Sequence, residues 1–237
     1  MPRLTPTDAI FLDFDGTLVE LAERPDGVVV PPELPAVLHR LKERLHGALA
    51  IVSGRTLAEL MQFLHPADLT IIAEHGAIMR LSGDIAETPA PTWPANWAKM
   101  IEDFTLQYPG TFVELKSHSV AVHFRQAPET ESAVKKFVAR LAHDHPKLYE
   151  LLPAKMAFEL KRTETSKGAG IRAAMQIAPF EGRLPVFIGD DVTDEPGFAA
   201  VEHLGGVALH VDRAFDGRPA LVRKWLADQF PEQGGNA

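Results

Sequence analysis

Two acids interrupt an apolar run near the start of the chain. In "AIFLDFDGTLVE", residues 9–20, Asp13 and Asp15 stand at i and i+2 where the run ends, followed by Gly16 and Thr17. Carboxylates this close repel each other unless a proton or a cation lies between them. Carboxylate and backbone carbonyl oxygens suit Mg²⁺, which binds through one or two protein carboxylates together with substrate phosphate. A calcium loop is excluded, because the EF-hand pattern needs a further acid before its glycine and Gly16 follows Asp15 directly. An Asp-Gly turn would account for this stretch taken alone. A second run repeats the arrangement: "PVFIGDDVTDE", 185–195, passes through Gly189 into Asp190, Asp191, Asp194 and Glu195. Two buried strands delivering acids to one sheet edge make a metal site the better explanation.

Two further segments suit an anion. "LAIVSGRT", 49–56, ends in Ser53, Gly54 and Arg55 ahead of a helical pattern. Ser53 can donate to an oxygen, and helix N-terminal amides favour negative charge. The same serine would serve as an ordinary helix cap, and both roles are compatible. Lys167 opens the helical pattern "KGAGIRAAMQIA". Cations disfavour helix N-termini, and local rules are broken most often at functional sites. The stretch lacks the order of a nucleotide P-loop.

These residues need a scaffold that brings strand ends together. Five apolar runs read as buried parallel strands: 9–14, 47–53, 69–74, 185–190 and 206–211. Helical patterns at 33–46, 56–64, 167–178 and 218–230 alternate with them. Such alternation predicts a parallel sheet with helices on both faces, whose ligands bind at the carboxyl edge. The proline-rich "PAPTWPAN", 89–96, marks a boundary. Beyond it the order is helix, two strands, helix, two strands: α-β-β twice, an antiparallel sheet backed by two helices. The predicted organisation is a core of residues 1–90 and 164–237 with a cap, 91–163, inserted.

Period-two alternation divides the cap strands into two faces. Val113, Leu115, Val120, Val122, Phe124, Phe158 and Leu160 point one way. Glu114, Lys116, His123, Arg125, Glu159 and Lys161 point the other. A solvated polar face is the commoner case for an antiparallel sheet; a hydrophilic lid over a polar substrate is the alternative.

Bulk properties narrow the function classes. The chain has 237 residues and a formal charge of −8, which argues against nucleic acid, a partner that calls for a basic face. It has no cysteine, so disulfides, thiolate catalysis and cysteine-bound metals are excluded. No apolar run has the length of a membrane span, and the N-terminal residues lack the apolar core of a signal peptide. A cytoplasmic monomer with a small-molecule partner and no membrane contact is expected.

The four segments together resemble the haloacid dehalogenase superfamily of aspartyl phosphotransferases. Asp13-Phe14-Asp15-Gly16-Thr17-Leu18, Ser53, Lys167 and Gly189-Asp190-Asp191 with Asp194 match its four motifs in order and spacing. Within it the chain is similar to the trehalose-6-phosphate phosphatases, through "SGR" (53–55), "AEHGA" (73–77), "VELKSHSVAVHFR" (113–125), "FELKRTETSKG" (158–168) and "GDDVTDE" (189–195). The resemblance implies a Rossmann-like parallel-sheet core with an α+β cap. It also implies hydrolysis of trehalose 6-phosphate with Mg²⁺ through an aspartyl-phosphate. Asp13 would be the nucleophile and Asp15 the acid and base. Ser53 and Lys167 would hold phosphoryl oxygens, with Lys167 keeping Asp13 ionised. The Asp13 carboxylate, the Asp15 carbonyl and Asp190 would hold the metal, with Asp194 supporting. Glu114, Lys116 and Glu159 would read the sugar, with Gly54, Arg55 and His75 as further substrate contacts. A phosphatase or phosphomutase for another sugar phosphate, and a non-catalytic phosphosugar sensor, are the rival readings.

Overall fold

Most of the first apolar run lies in β1 (Asp8–Leu12), and all five residues of the strand are buried. A strand covered on both faces needs such an unbroken apolar run. The computed structural model describes residues 1–22, 27–64, 68–81, 84–87, 93–94, 96–143, 145–154 and 156–230. Of the proline-rich stretch 89–96, residues 89–92 and 95 lie outside them.

After β1 come α1 (Leu34–Arg44), β2 (Leu49–Val52), α2 (Leu57–Phe63) and β3 (Thr70–Ala73). Helix α1 buries Leu34, Val37, Leu38 and Leu41 along one stripe. Pro35 falls in its first turn, where no backbone donor is needed. The short strands β4 (Ile78–Leu81) and β5 (Asp84–Glu87) follow. The middle of the chain supplies α3 (Trp97–Gln107), β6 (Phe112–Leu115), β7 (Ser119–His123), α4 (Glu131–His143), β8 (Tyr149–Ala154) and β9 (Ala157–Arg162). The remainder forms α5 (Lys167–Ala174), β10 (Leu184–Gly189), α6 (Glu195–His203), β11 (Val207–His210), α7 (Val211–Ala214) and α8 (Pro219–Ala227). Two compact units result: 1–86 with 167–237, and 87–166.

The larger unit holds a sheet of order β11-β10-β1-β2-β3-β4-β5. From β11 to β3 the pairing is parallel. Its edge departs from the expected all-parallel sheet: β4 runs antiparallel to β3, with Ile72 opposite Met79. Strand order reverses at β1, with β10 on one side and β2 on the other, and such switch points are where α/β sheets bind ligands. Leu12 lies level with Ile188 of β10, so the acids after both strands emerge at one height. Phe11 stacks on Phe180 at 5.3 Å beneath this edge. Each such buried ring contributes roughly 1.5–3 kcal/mol. No described helix is long and apolar enough to cross a membrane.

The smaller unit has a sheet of order β6-β7-β9-β8, all antiparallel. Its core joins Val122, Phe124, Phe158 and Leu160 to Val134, Val138 and Leu141 of α4. Phe104 of α3 and Phe137 of α4 stack at 4.2 Å. Two expectations fail here. Leu115, placed by alternation on the covered face, is 70% exposed; it is the last residue of an edge strand, where the chain turns back at Lys116. The opposite face is not generally solvated either. Glu159 and Lys161 are 4% and 5% exposed, because β9 is a central strand whose neighbours supply partners. Lys161 Nζ meets the Glu150 carboxylate and the carbonyls of Arg162 and Thr165.

Candidate active site

The carboxyl edge of the large sheet gathers the charges anticipated there. Asp13 follows β1 and is 3% exposed, its N–H donating to the Ile188 carbonyl at 2.9 Å. Lys167, the first residue of α5, is 3% exposed. Its Nζ donates to Asp13 Oδ1 and to Asp194 Oδ1, each at 2.6 Å. Asp194 is fully buried. Its Oδ2 accepts from the backbone N–H groups of Asp190 and Asp191 at 3.0 and 3.1 Å, so it fixes the loop after β10. Asp13, Asp190 and Asp194 each place a carboxylate oxygen within 4.8 Å of the others.

Gly16 makes this approach possible. Its φ is +80°, and a Cβ there would lie 2.1 Å from Asp190 Oδ2. Thr17, fully buried, has its hydroxyl 3.4 Å from Asp190 Oδ1. Thr17 was absent from the predicted site residues although it stands inside the first motif; a buried threonine reads equally well as core.

Three carboxylates and one ammonium leave an excess of negative charge. Burial raises the Asp13 pKa, the charges of Asp194 and Asp190 add to this, and Lys167 only partly offsets them, so the carboxyl lies well above its ordinary value. Lys167 acts in the expected direction, favouring the ionised Asp13 carboxylate, while burial and the neighbouring acids oppose it. Burial disfavours the charge on Lys167, but Asp13 and Asp194 outweigh it and raise its pKa. Burial and the Asp194 charge push Asp190 up to about 6. A divalent cation among the acids would invert this local logic. Hard oxygen donors with surplus negative charge fit Mg²⁺.

Ser53 follows β2 and is buried, its Oγ accepting from the Arg55 N–H at 3.2 Å. It does not cap α2. That role belongs to Thr56, which forms a capping box with Glu59. Arg55 is 9% exposed. Its Nε and Nη2 donate to the two oxygens of Asp15 at 2.6 and 2.7 Å, a bidentate pair. Its guanidinium also lies 5.8 and 5.1 Å from the ring centroids of Phe14 and Phe63. His75 is buried in a left-handed turn, with φ of +46° at Glu74 and +56° at His75. Left-handed backbone costs such residues about 1–2 kcal/mol each. The turn is tied to the Ser53 loop by Glu74 N–H to Arg55 O and His75 N–H to Ser53 O, at 3.0 and 3.1 Å. The imidazole packs directly on Gly54, where a Cβ would meet it at 2.5 Å.

In the smaller unit, Glu114, Lys116 and Glu159 form one network. Lys116 Nζ is 3.2 Å from Glu159 Oε1 and 3.9 Å from Glu114 Oε1. Ser119 donates to Glu159 Oε1, and His123 Nε2 lies 3.0 Å from Glu114 Oε2.

Comparison with known proteins agrees with this chemistry. The profile of one family, described as trehalose-phosphatase, matches residues 11–222. A trehalose-6-phosphate phosphatase of Escherichia coli is 40% identical over 233 residues, covering 98% of this chain and 85% of that protein. A probable trehalose-phosphate phosphatase of Sinorhizobium fredii is 36% identical over 206 residues, covering 86% and 77%. Among solved structures, the C-terminal domain of a C. albicans trehalose-6-phosphate phosphatase superposes with a TM-score of 0.79, at 18% identity, covering 94% and 92% of the two chains. That likeness establishes the fold. The profile match and the identity across nearly the full chain go further: the chain belongs to the trehalose-phosphatase family.

Proposed function

We propose that the protein hydrolyses trehalose 6-phosphate to trehalose and inorganic phosphate, with Mg²⁺ and through an aspartyl-phosphate at Asp13. The observation that carries this reading is the buried Asp13–Lys167–Asp194 array beside Asp190 at the carboxyl edge of the sheet. In this reading the core, 1–90 and 164–237, performs the chemistry, and the inserted 91–163 selects the sugar. The chain works as a cytoplasmic monomer on a small sugar phosphate.

Asp13 attacks phosphorus; the bond from phosphorus to the sugar oxygen breaks as the bond to the Asp13 carboxylate forms. Asp15 protonates the departing oxygen. It then takes a proton from the water that attacks the phosphoenzyme, releasing phosphate and regenerating the Asp13 carboxylate. Arg55 holds the Asp15 carboxylate by both oxygens, so one must turn from the guanidinium to reach the sugar oxygen. Ser53 and Lys167 bind phosphoryl oxygens, while Asp194 positions Lys167 and the loop after β10. The Asp13 carboxylate, the Asp15 carbonyl and Asp190 would hold Mg²⁺, which when bound offsets charge on the transferring group. Phosphate monoesters hydrolyse among the slowest of uncatalysed reactions, so preorganised charge must supply much of the acceleration. Gly54 and His75 shape the phosphate loop. Glu114, Lys116 and Glu159 bind hydroxyls of the sugar, two acceptors and one donor.

Phosphate release over a panel of sugar phosphates with Mg²⁺, with isomeric sugar phosphates followed in parallel, tests this. A marked preference for trehalose 6-phosphate with stoichiometric phosphate is expected. Return of the phosphoryl group to a sugar, or binding without turnover, would overturn it.

A further inference from the structure

The polar network of the small unit contains more than the three sugar-binding side chains. Glu159 and Glu114 each take a further donor from one strand, β7: Ser119 Oγ on Glu159 and His123 Nε2 on Glu114. An ionised carboxylate only accepts, so His123 must present its Nε2–H. Burial raises the Glu114 carboxyl, but the His123 bond and the Lys116 charge outweigh it, holding its pKa below the usual value. The ring of Phe112, opposite His123 in register, packs beside the imidazole with ring centroids 5.7 Å apart.

A network of partly buried ion pairs is a poor means of stabilising a small sheet, since apolar side chains of similar volume do as well or better. Fixed geometry is what it does provide. A polyol is recognised through the direction of its hydroxyls, and each rotamer-rich side chain that must be ordered on binding costs about 0.5–1.5 kcal/mol. Ser119 is 2% exposed and held in the sheet ladder opposite Lys161, so its hydroxyl is a rigid donor. Residues of β7 therefore set the carboxylates in place before any sugar arrives.

We propose that Ser119 and His123 are specificity-determining positioning residues, which aim the Glu159 and Glu114 carboxylates at the sugar hydroxyls. The inference rests on the reading that Glu114, Lys116 and Glu159 bind the sugar. Its test is kinetic, with trehalose 6-phosphate and p-nitrophenyl phosphate as paired substrates. For His123→Ala and Ser119→Ala, kcat/KM should fall about tenfold more on the sugar phosphate than on the aryl phosphate, chiefly through KM. His123→Gln, which keeps a donor, should recover most of the loss. In a Glu114→Gln background, His123→Ala should add little. Equal losses on both substrates, or additive losses in the double variant, would overturn the inference and mark His123 as structural only. If Glu114→Gln and Glu159→Gln lose the sugar phosphate selectively while the Ser119 and His123 variants do not, the inference fails and the sugar-binding reading stands. If neither glutamate variant shows a selective loss, that underlying reading fails as well.

Discussion

Replacing Asp190 by asparagine should stabilise the metal-free protein while abolishing its response to Mg²⁺. Asp190 is pushed up to about 6 from 3.8, by burial first and then by the charge of Asp194. Each pKa unit is worth about 1.36 kcal/mol, so the full shift sets a ceiling of about 3 kcal/mol. The side chain is only half-buried, and solvent screening reduces this to about 1–2 kcal/mol. The sign follows from linkage. The folded protein holds the Asp190 proton more tightly than the unfolded chain, so ionising it costs stability. That cost is absent below about pH 3.8, accumulates up to about pH 6 and is constant above. Asparagine carries no charge, so the advantage of Asp190→Asn should grow through that window and then level off. In a chain of this size the gain corresponds to about 2–8 °C in Tm. Thermal and urea unfolding in EDTA across this pH range would measure it. A variant no more stable than its parent above about pH 6, or one whose gain is already complete at about pH 4, would refute the reasoning.

Other perturbations act on the same edge. Lys167→Met removes the ammonium shared by Asp13 and Asp194 at 2.6 Å each; a loss of about 3–5 kcal/mol and of turnover is expected, and unchanged urea unfolding would contradict it. Gly16→Ala places a Cβ against Asp190 at a φ of +80°. It should cost about 1–2 kcal/mol or more and weaken Mg²⁺ activation; a parental Tm and Mg²⁺ response would count against the close approach. Chelation by EDTA should inactivate the enzyme reversibly, and persistent activity in metal-free protein would refute the metal assignment.

The residues at the strand ends were legible because their chemistry is conspicuous. Asp13, Asp190 and Asp194 follow apolar runs that have no packing use for acids, and Lys167 opposes a helix dipole. Their partners were not. The bidentate Arg55–Asp15 pair joins residues 40 positions apart, and nothing in the spacing says which acid an arginine will choose. The left-handed turn at Glu74 and His75 carries no glycine at those two positions, so no local propensity announces it. Alternation sorted Glu159 and Lys161 onto one face correctly, yet their burial depends on Ser119 and Glu150, strand neighbours set by a register the pattern leaves open. Leu115 shows the converse: alternation says where a side chain points, and nothing about whether an edge strand is covered. Strands β4 and β5 and helices α6 and α7 are not among the elements expected from the sequence; α7 is a single turn directly after β11. The first two are short and mixed in polarity, and α6 begins at Glu195, the last residue of the acidic motif, so its apolar stripe was not separated from it.

The central claim is that Asp13 carries the phosphoryl group. Removing the proposed base with Asp15→Asn, and supplying an aryl phosphate whose leaving group needs no proton, should let the intermediate accumulate. Acid quenching followed by mass spectrometry of the peptide spanning residues 9–20 reads it directly. The expected result is a phosphoryl adduct on Asp13 that depends on Mg²⁺ and is lost in Asp13→Asn. An adduct on another residue, or an Asp13→Asn protein that still releases phosphate at the parental rate, would contradict the account.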